Sequence, residues 1–349
     1  MNIKLRFSII ITAFNRREFL ADAIRSCLAQ TFPRDQFEII IVKNFEDTTI
    51  DAFAQANDCI LYSNVGGTIG EQLQAGIAAS SADIICFLDD DDLFLPEKLV
   101  KVFQLFNENS SLIYYHNSST LINDHGDSID GYFPDPPATD LILKNEKVQN
   151  LRRSLKQRRD ITINSILTNL SCVSIKRSVV AKYLDRLPEL IDGTDHFAFY
   201  ISLSLRGDML INGNILNRYR VHRSTSNIFT PDSIKSMRAL TIKNFLKDGH
   251  VTNLLDVILV GSDAHKLVSC KILEERFVIR AELGMLRYQV GMKDFISYIS
   301  CVTSSTSLLR KSTLFRLAFI FGVYIIPSVV GYYYNLYRLA AFRKSVKLR

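Results

Sequence analysis

The chain has 349 residues, 47% of them hydrophobic and 22% charged, with no Trp but 22 Phe and 14 Tyr. That composition excludes general disorder, and the length exceeds one small core, which predicts a large domain with an addition, or two domains. The net charge of +6 is unevenly placed: eight basic and no acidic residues lie from Phe295 onward, leaving the rest near neutral. A basic end of this kind points to an anionic partner, with membrane lipid or nucleic acid as the usual candidates.

In chain order, Phe7–Ala13 is almost continuously apolar and β-branched, as expected of a strand covered on both faces. Phe19, Leu20, Ala23, Ile24, Cys27 and Leu28 then recur at helical spacing, and Pro33 lies where a helix has ended. Phe37–Val42 reads as a second buried strand, Asp51–Gln55 as a short helix and Cys59–Tyr62 as a third strand. Gly70–Ser80 reads as a helix and Ile84–Leu88 as a fourth strand. Such alternation predicts an α/β fold with a doubly wound, mostly parallel sheet flanked by helices. Ligands in such sheets bind beyond the carboxyl ends of the strands. Asn15, Lys43-Asn44 and Asp89–Asp92 all fall at such ends and are expected to converge.

From about Asn107 to Asp160 the pattern loosens, with a breaker-rich loop at Tyr132–Pro137 and a basic stretch at Leu151–Arg159. Order resumes at Asn169–Ile175, followed by a helix from about Asp195 to Arg206. Strands are expected at Met209–Asn212 and Leu216–Val221, and helices from about Pro231 onward. Six scattered cysteines form no CxxC pair, so neither a disulfide framework nor a zinc site is expected. No export signal opens the chain, which predicts a reducing, cytoplasmic location.

The chemistry concentrates in Asp89, Asp90, Asp91 and Asp92, which follow the fourth strand. Four adjacent carboxylates repel one another and resist ionisation unless a cation joins them. Mg²⁺ and Mn²⁺ favour such hard oxygens, often one or two carboxylates plus a substrate phosphate. The competing reading is a solvated acidic turn before a helix at Pro96-Glu97-Lys98.

With its flanks the run resembles the family 2 glycosyltransferases of GT-A fold. The resemblance covers roughly residues 6 to 228. It rests on FSIIITAFNRREFLADAIRSCLAQTF at Phe7–Phe32, EIIIV at Glu38–Val42 and GEQLQAGIAASSADIICFLDDDDLFLPEKL at Gly70–Leu99. It continues with TDHFAFYISLSLRG at Thr194–Gly207 and YRVHRSTS at Tyr219–Ser226. It implies transfer of a sugar, with inversion, from a nucleoside-diphosphate sugar to an acceptor hydroxyl on a glycan or lipid-linked glycan. Asp91 is then matched to the metal, Mn²⁺ or Mg²⁺, and Asp90 to the ribose or to the metal's surroundings. Asp89, Asn15, Arg16 and Asn44 would lie by the nucleotide, and Arg220 and His222 by the diphosphate.

The resemblance also matches Asp195 to the general base. On the residues alone Asp195 serves equally well as a helix cap, and His222 as a structural histidine. Two positions depart from the family. Lys43 stands where an acid usually reads the base, and it could pair with phosphate or with Asp47. Leu73 stands where Arg or Lys is usual. These departures, together with Thr194 where the family's usual Glu-Asp pair has its Glu, motivate an alternative, an inactive nucleotide-sugar-binding relative. A sugar nucleotidyltransferase fits less well, because Phe14-Asn15-Arg16-Arg17 lacks glycine.

The predicted organisation is therefore a GT-A catalytic domain over 1–228 and a helical region over 229–349. Leu317–Tyr334 carries no charge across 18 residues, the lower limit for a membrane span. Arg316, Pro327 and basic flanks suit an interfacial or re-entrant helix as well as a span, and burial against the protein is the other reading. The tail lacks a nucleic-acid recognition motif. The expectation is membrane-surface contact at the inner face of the cell membrane, with no nucleic acid.

Overall fold

The computed structural model describes residues 6–134, 136–144, 147–157, 168–222 and 233–269, with isolated positions beyond. Two compact units divide the chain at Met1–Thr225 and Ser226–Arg349.

The first unit is built on one mixed sheet. Its first half holds β1 (Phe7–Ala13), β2 (Phe37–Lys43), β3 (Ile60–Tyr62) and β4 (Ile84–Asp89), in the order β3-β2-β1-β4 and all parallel. Ile9, Ile10, Ile11, Ile39, Ile40 and Ile41 are fully buried. That explains why these strands read as continuous apolar runs rather than alternating ones. The connecting helices are α1 (Leu20–Leu28), α2 (Thr48–Ala56) and α3 (Ile69–Ala79). Helix α3 starts on a capping box between Thr68 and Glu71. It lies so close to β1 that a Cβ on Gly76 would stand 2.6 Å from Ile10 Cγ2, closer than real Cβ contacts allow.

The register carries this order to the site. Ala13 pairs with Lys43, and Thr12 with Asp89. The residues that follow β1, β2 and β4 therefore emerge at one level of one sheet edge.

The second half is less regular. Asp89–Asp92 turns tightly into the short β5 (Leu93–Phe94), and α4 (Lys98–Glu108) follows. The region expected to be loose contains β6 (Leu112–Ile122), 11 residues long and almost wholly buried. The pattern failed there because His116, Asn117, Ser118 and Ser119 are buried polar residues. The smaller β7 (Ser128–Tyr132), β8 (Leu141–Leu143) and α5 (Lys147–Gln157) come next. Strand β9 (Val173–Lys176) runs antiparallel to both β4 and β6 and joins the two halves. Helix α6 (Thr194–Ser204) starts at Gly193, whose φ of 68° is left-handed.

The two strands expected over Met209–Asn212 and Leu216–Val221 are one, β10 (Asp208–Arg220). Register shifts around Ile211–Ile215 let it absorb Gly213 and Asn214 without breaking its pairing to β6. Strand β5 pairs with β10 through Leu93 and Phe94, which ties the acidic turn to the end of β10.

The second unit contains α7 (Ile234–Ile258), opened by a capping box at Ser233. His265 reaches Asp256 at 2.9 Å, and Ser269 bonds the same carboxylate at 3.0 Å. Among the described residues no helix is long and apolar enough to cross a membrane. The apolar stretch 317–334 and the basic tail lie outside the described residues, apart from isolated positions.

Candidate active site

The site is a ledge at the carboxyl edge of the sheet, with the acidic turn at its centre. Asp89 ends β4, and the turn closes when Asp92 N–H donates to the Asp89 carbonyl at 3.2 Å. Carboxylate oxygens of Asp89, Asp91 and Asp92 come within 4.8 Å of one another. Burial, then repulsion from Asp91 and Asp90, pushes the Asp89 carboxyl up to about 8. Burial also raises Asp90 and, together with Asp91 and Asp89, raises Asp92 well above the carboxylate range. Asp92 Oδ1 accepts the Arg220 backbone N–H at 3.0 Å, while its Oδ2 is buried without a hydrogen-bond partner. A hard, oxygen-only donor set with a buried unpartnered oxygen fits a divalent cation of the Mg²⁺ or Mn²⁺ class. Asp91 had been matched to the metal from sequence, and the geometry adds Asp89 and Asp92 as neighbouring oxygens.

The loop after β1 supplies the next wall. Asn15 is in the left-handed region at φ 57°. Its N–H donates to Asn44 Oδ1 at 2.8 Å, and Asn44 Nδ2 donates back to Asn15 Oδ1 at 2.9 Å. This reciprocal amide pair clips the ends of β1 and β2 together. Arg16 then turns onto the acidic run. Its Nε donates to Asp90 Oδ2 at 3.0 Å, and its Nη2 reaches Asp90 Oδ1 and, at 2.7 Å, Asp91 Oδ2. Burial works against the guanidinium charge, but hydrogen bonding and attraction to Asp90, then to Asp91 and Asp89, outweigh it and hold Arg16 above the usual arginine range.

Lys43 is fully buried and turned away from this ledge. Its Nζ reaches Asp51 Oδ1 at 3.0 Å and the Phe45 carbonyl at 2.5 Å. Its carboxylate partner is therefore Asp51 and not Asp47. Asp47 instead caps α2 by accepting from Thr49 and Ile50 N–H. Leu73 is likewise buried in the apolar packing of α3.

The far wall comes from β10 and the segment before β9. Arg220 is 1% exposed and acts as a clamp. Its Nε donates to the Asp91 carbonyl at 2.9 Å, and its Nη1 to the carbonyls of Asn123 and Asp124 at 3.2 and 2.9 Å. The guanidinium also stacks 4.5 Å above the Phe19 ring. Arg220 therefore fixes the turn that presents Asp91, in addition to any contact with ligand. His222 Nε2 lies 2.9 Å from Asp91 Oδ2 and 3.0 Å from Arg16 Nη1, and its ring packs 5.0 Å from Phe19.

Asp195 stands in the first turn of α6, but α6 is capped at Gly193 with no side-chain cap. Asp195 Oδ2 accepts the Asn169 N–H at 3.1 Å, and Oδ1 accepts the His196 N–H at 2.8 Å. Its charge is one of those that raise Asp89, so the two carboxyls share one electrostatic neighbourhood.

Three contributors had no sequence signal. Asn169 sits at φ 71°, and its side chain accepts the Ser171 N–H at 3.0 Å. Ser171 Oγ accepts the Asp89 N–H at 3.0 Å. Lys98, fully buried, donates to the Ser171 carbonyl at 2.6 Å and to Asn217 Oδ1 at 2.9 Å. Burial lowers the Lys98 ammonium to about 8. Together they brace the underside of the acidic turn.

The sequence of this ledge has known counterparts. The family model described as glycosyl transferase family 2 matches residues 8–180. Over that stretch the chain carries a glycosyltransferase family 2 domain. An uncharacterized glycosyltransferase of Rickettsia typhi is 24% identical to this transferase over 269 residues, 75% of this chain and 77% of that protein. One from Nostoc is 33% identical over 135 residues, which span 36% of this chain and 38% of that relative. Among solved structures, Staphylococcus aureus TarS 1-349 in complex with UDP aligns with a TM-score of 0.55 at 14% identity, covering 95% of this transferase and 92% of that chain. At that identity the likeness establishes the GT-A fold and no more.

Proposed function

We propose that the transferase moves a sugar from a nucleoside-diphosphate sugar to an acceptor hydroxyl with inversion, assisted by Mn²⁺ or Mg²⁺. The observation that carries this reading is the cluster of Asp89, Asp91 and Asp92 oxygens at the end of β4, with Asp195 electrostatically coupled across the ledge. Asp91, flanked by Asp89 and Asp92, would hold the cation, which when bound offsets negative charge on the departing diphosphate.

The chain's own groups do the rest. Asn15 and Asn44 form a polar rim on which a nucleoside can rest, and Arg16, with His222 beside it, stands where a diphosphate would need a positive partner. Asp195, held by two backbone N–H groups, accepts the proton of the acceptor hydroxyl. That oxygen attacks the anomeric carbon, the bond to the diphosphate oxygen breaks, and the electron pair leaves with the nucleoside diphosphate. Lys43 is buried against Asp51, so its charge is matched within the protein and does not face the ledge. The acceptor is a hydroxylated glycan, free or lipid-linked, and contact with the inner membrane surface through 317–334 belongs to the same proposal.

UDP is the first nucleotide to try, because TarS 1-349 was solved with it on the same fold. Calorimetry should show UDP binding that tightens at least about tenfold with Mn²⁺ in the wild type and loses that dependence in Asp91→Asn. Metal-independent UDP binding in both proteins would remove the metal from the reading.

A further inference from the structure

The contacts around Arg16 are mutually inconsistent as hydrogen bonds. His222 Nε2 lies 3.0 Å from the donor Arg16 Nη1 and 2.9 Å from the acceptor Asp91 Oδ2. A neutral imidazole nitrogen carries either a proton or a lone pair. With the proton on Nε2, donor faces donor at Arg16. With the lone pair there, two lone pairs face each other at Asp91. With both ring nitrogens protonated, imidazolium faces guanidinium. With Asp91 ionised, neither tautomer of His222 satisfies both contacts. A carboxylate oxygen and an imidazole nitrogen 2.9 Å apart would instead be satisfied together by a shared divalent cation.

The guanidinium now supplies that positive charge, because Nη2 stands 2.7 Å from the same Asp91 Oδ2 and also grips Asp90. Arg16 is attached to a short loop next to the left-handed Asn15, and its side chain is 25% exposed. It has room to leave that an ammonium buried like Lys98 does not.

We propose that Arg16 is an internal counter-cation of the acidic run that a divalent metal must displace, and that the donor diphosphate rewards this displacement by giving Arg16 a new anionic partner. This rests on the metal-assisted reading above and adds a coupling to it. With Arg16 on Asp90 and Asp91, the metal alone binds weakly. With diphosphate present, Arg16 shifts its charge to the phosphates and vacates Asp91. Metal and nucleotide then each raise the other's affinity by the same factor. The arrangement would keep free metal off the enzyme until a donor arrives.

The test is Mn²⁺ titration of the full chain, followed by water-proton relaxation, with and without UDP. Wild type is expected to bind Mn²⁺ at least about tenfold more tightly with UDP than without. Arg16→Ala and Arg16→Gln should each bind Mn²⁺ alone at least about tenfold more tightly than wild type, and the UDP effect should shrink correspondingly. Thermal melting verifies that each variant is folded, and Arg16→Gln keeps most of the side chain should Arg16→Ala fail. Equal or weaker Mn²⁺ binding by folded Arg16 variants overturns the counter-cation. If wild type binds Mn²⁺ through Asp91, as judged by loss in Asp91→Asn, that result leaves the metal reading standing. If no protein binds Mn²⁺ even with UDP, both fall.

Discussion

The two walls of the site are made of different material. On the β1–β4 side the strands β1, β2 and β4 are isoleucine-rich and almost wholly buried, and chemistry appears where they end, at Asn15, Arg16, Asn44 and the acidic turn. On the β6–β9–β10 side, polar residues run through the interior. His116, Asn117, Ser118, Ser119, Ser171, Ser174, Asn217 and Arg220 are all buried. The first wall is an apolar platform with a polar rim, held by packing. The second is a hydrogen-bonded lattice in which a lost partner strands another group. An unmade buried hydrogen bond costs more than a made one gains. The two walls should therefore respond differently to mutation, the second through stranded polar groups and the first through lost volume.

The largest expected effects fall on activity and draw one residue from each wall. Asp91→Asn removes the charge at the proposed metal, and Asp195→Asn removes the proposed base. Each should lower kcat/KM at least about a hundredfold. Steady-state kinetics on folded protein would check this, and near wild-type turnover by either variant would clear that residue of its role.

Lys98→Ala should cost roughly 3 kcal/mol, since it strands the Ser171 carbonyl and Asn217 Oδ1 beneath the acidic turn. Ile10→Val, in the apolar wall, should cost about 1 kcal/mol. Urea unfolding of the two variants tests the comparison directly, and equal losses would erase the distinction between the walls.

The acidic turn also predicts a pH dependence of stability. Burial raises Asp89 to about 8 in the folded metal-free protein, from an ordinary value near 3.8. The folded state then holds more protons than the unfolded one between these limits, so stability falls as pH rises through that window. The melting temperature of metal-free protein should be a few degrees lower at pH 8 than at pH 6. Saturating Mn²⁺ should flatten the slope, because the cation replaces the protons. A flat profile without metal would mean that the carboxyls are ionised in the fold.

The smallest expected effect belongs to the rim. Asn44→Ala breaks the exposed amide pair with Asn15 and should cost about 0.5–1 kcal/mol, with a larger relative loss of nucleotide affinity than of stability.

The same contrast governs what the sequence reveals. The first wall was legible because parallel strands buried on both faces leave unbroken apolar runs, and the strand ends then point to Asn15, Asn44 and Asp89. The second wall was hidden because a buried serine looks like a loop residue in a linear pattern. Strand β6 was missed for this reason, and Gly213-Asn214 made the single strand β10 look like two. Lys98, Asn169 and Ser171 could not be found at all, because they act through backbone groups that only the fold brings near. Lys43 was legible as a departure from the family, but its partner Asp51, eight positions along the chain and one turn into α2, was not.

The central claim is that this ledge transfers sugar from a nucleotide donor with a cation held at Asp91. The most direct measurement is nucleoside-diphosphate release from a panel of nucleotide sugars, with Mn²⁺ or Mg²⁺ and a mixed panel of glycan acceptors. The account predicts release by the wild type with at least one donor, abolished by EDTA and cut at least about a hundredfold in Asp91→Asn. Release that persists in EDTA, or at equal rate in Asp91→Asn, would contradict it.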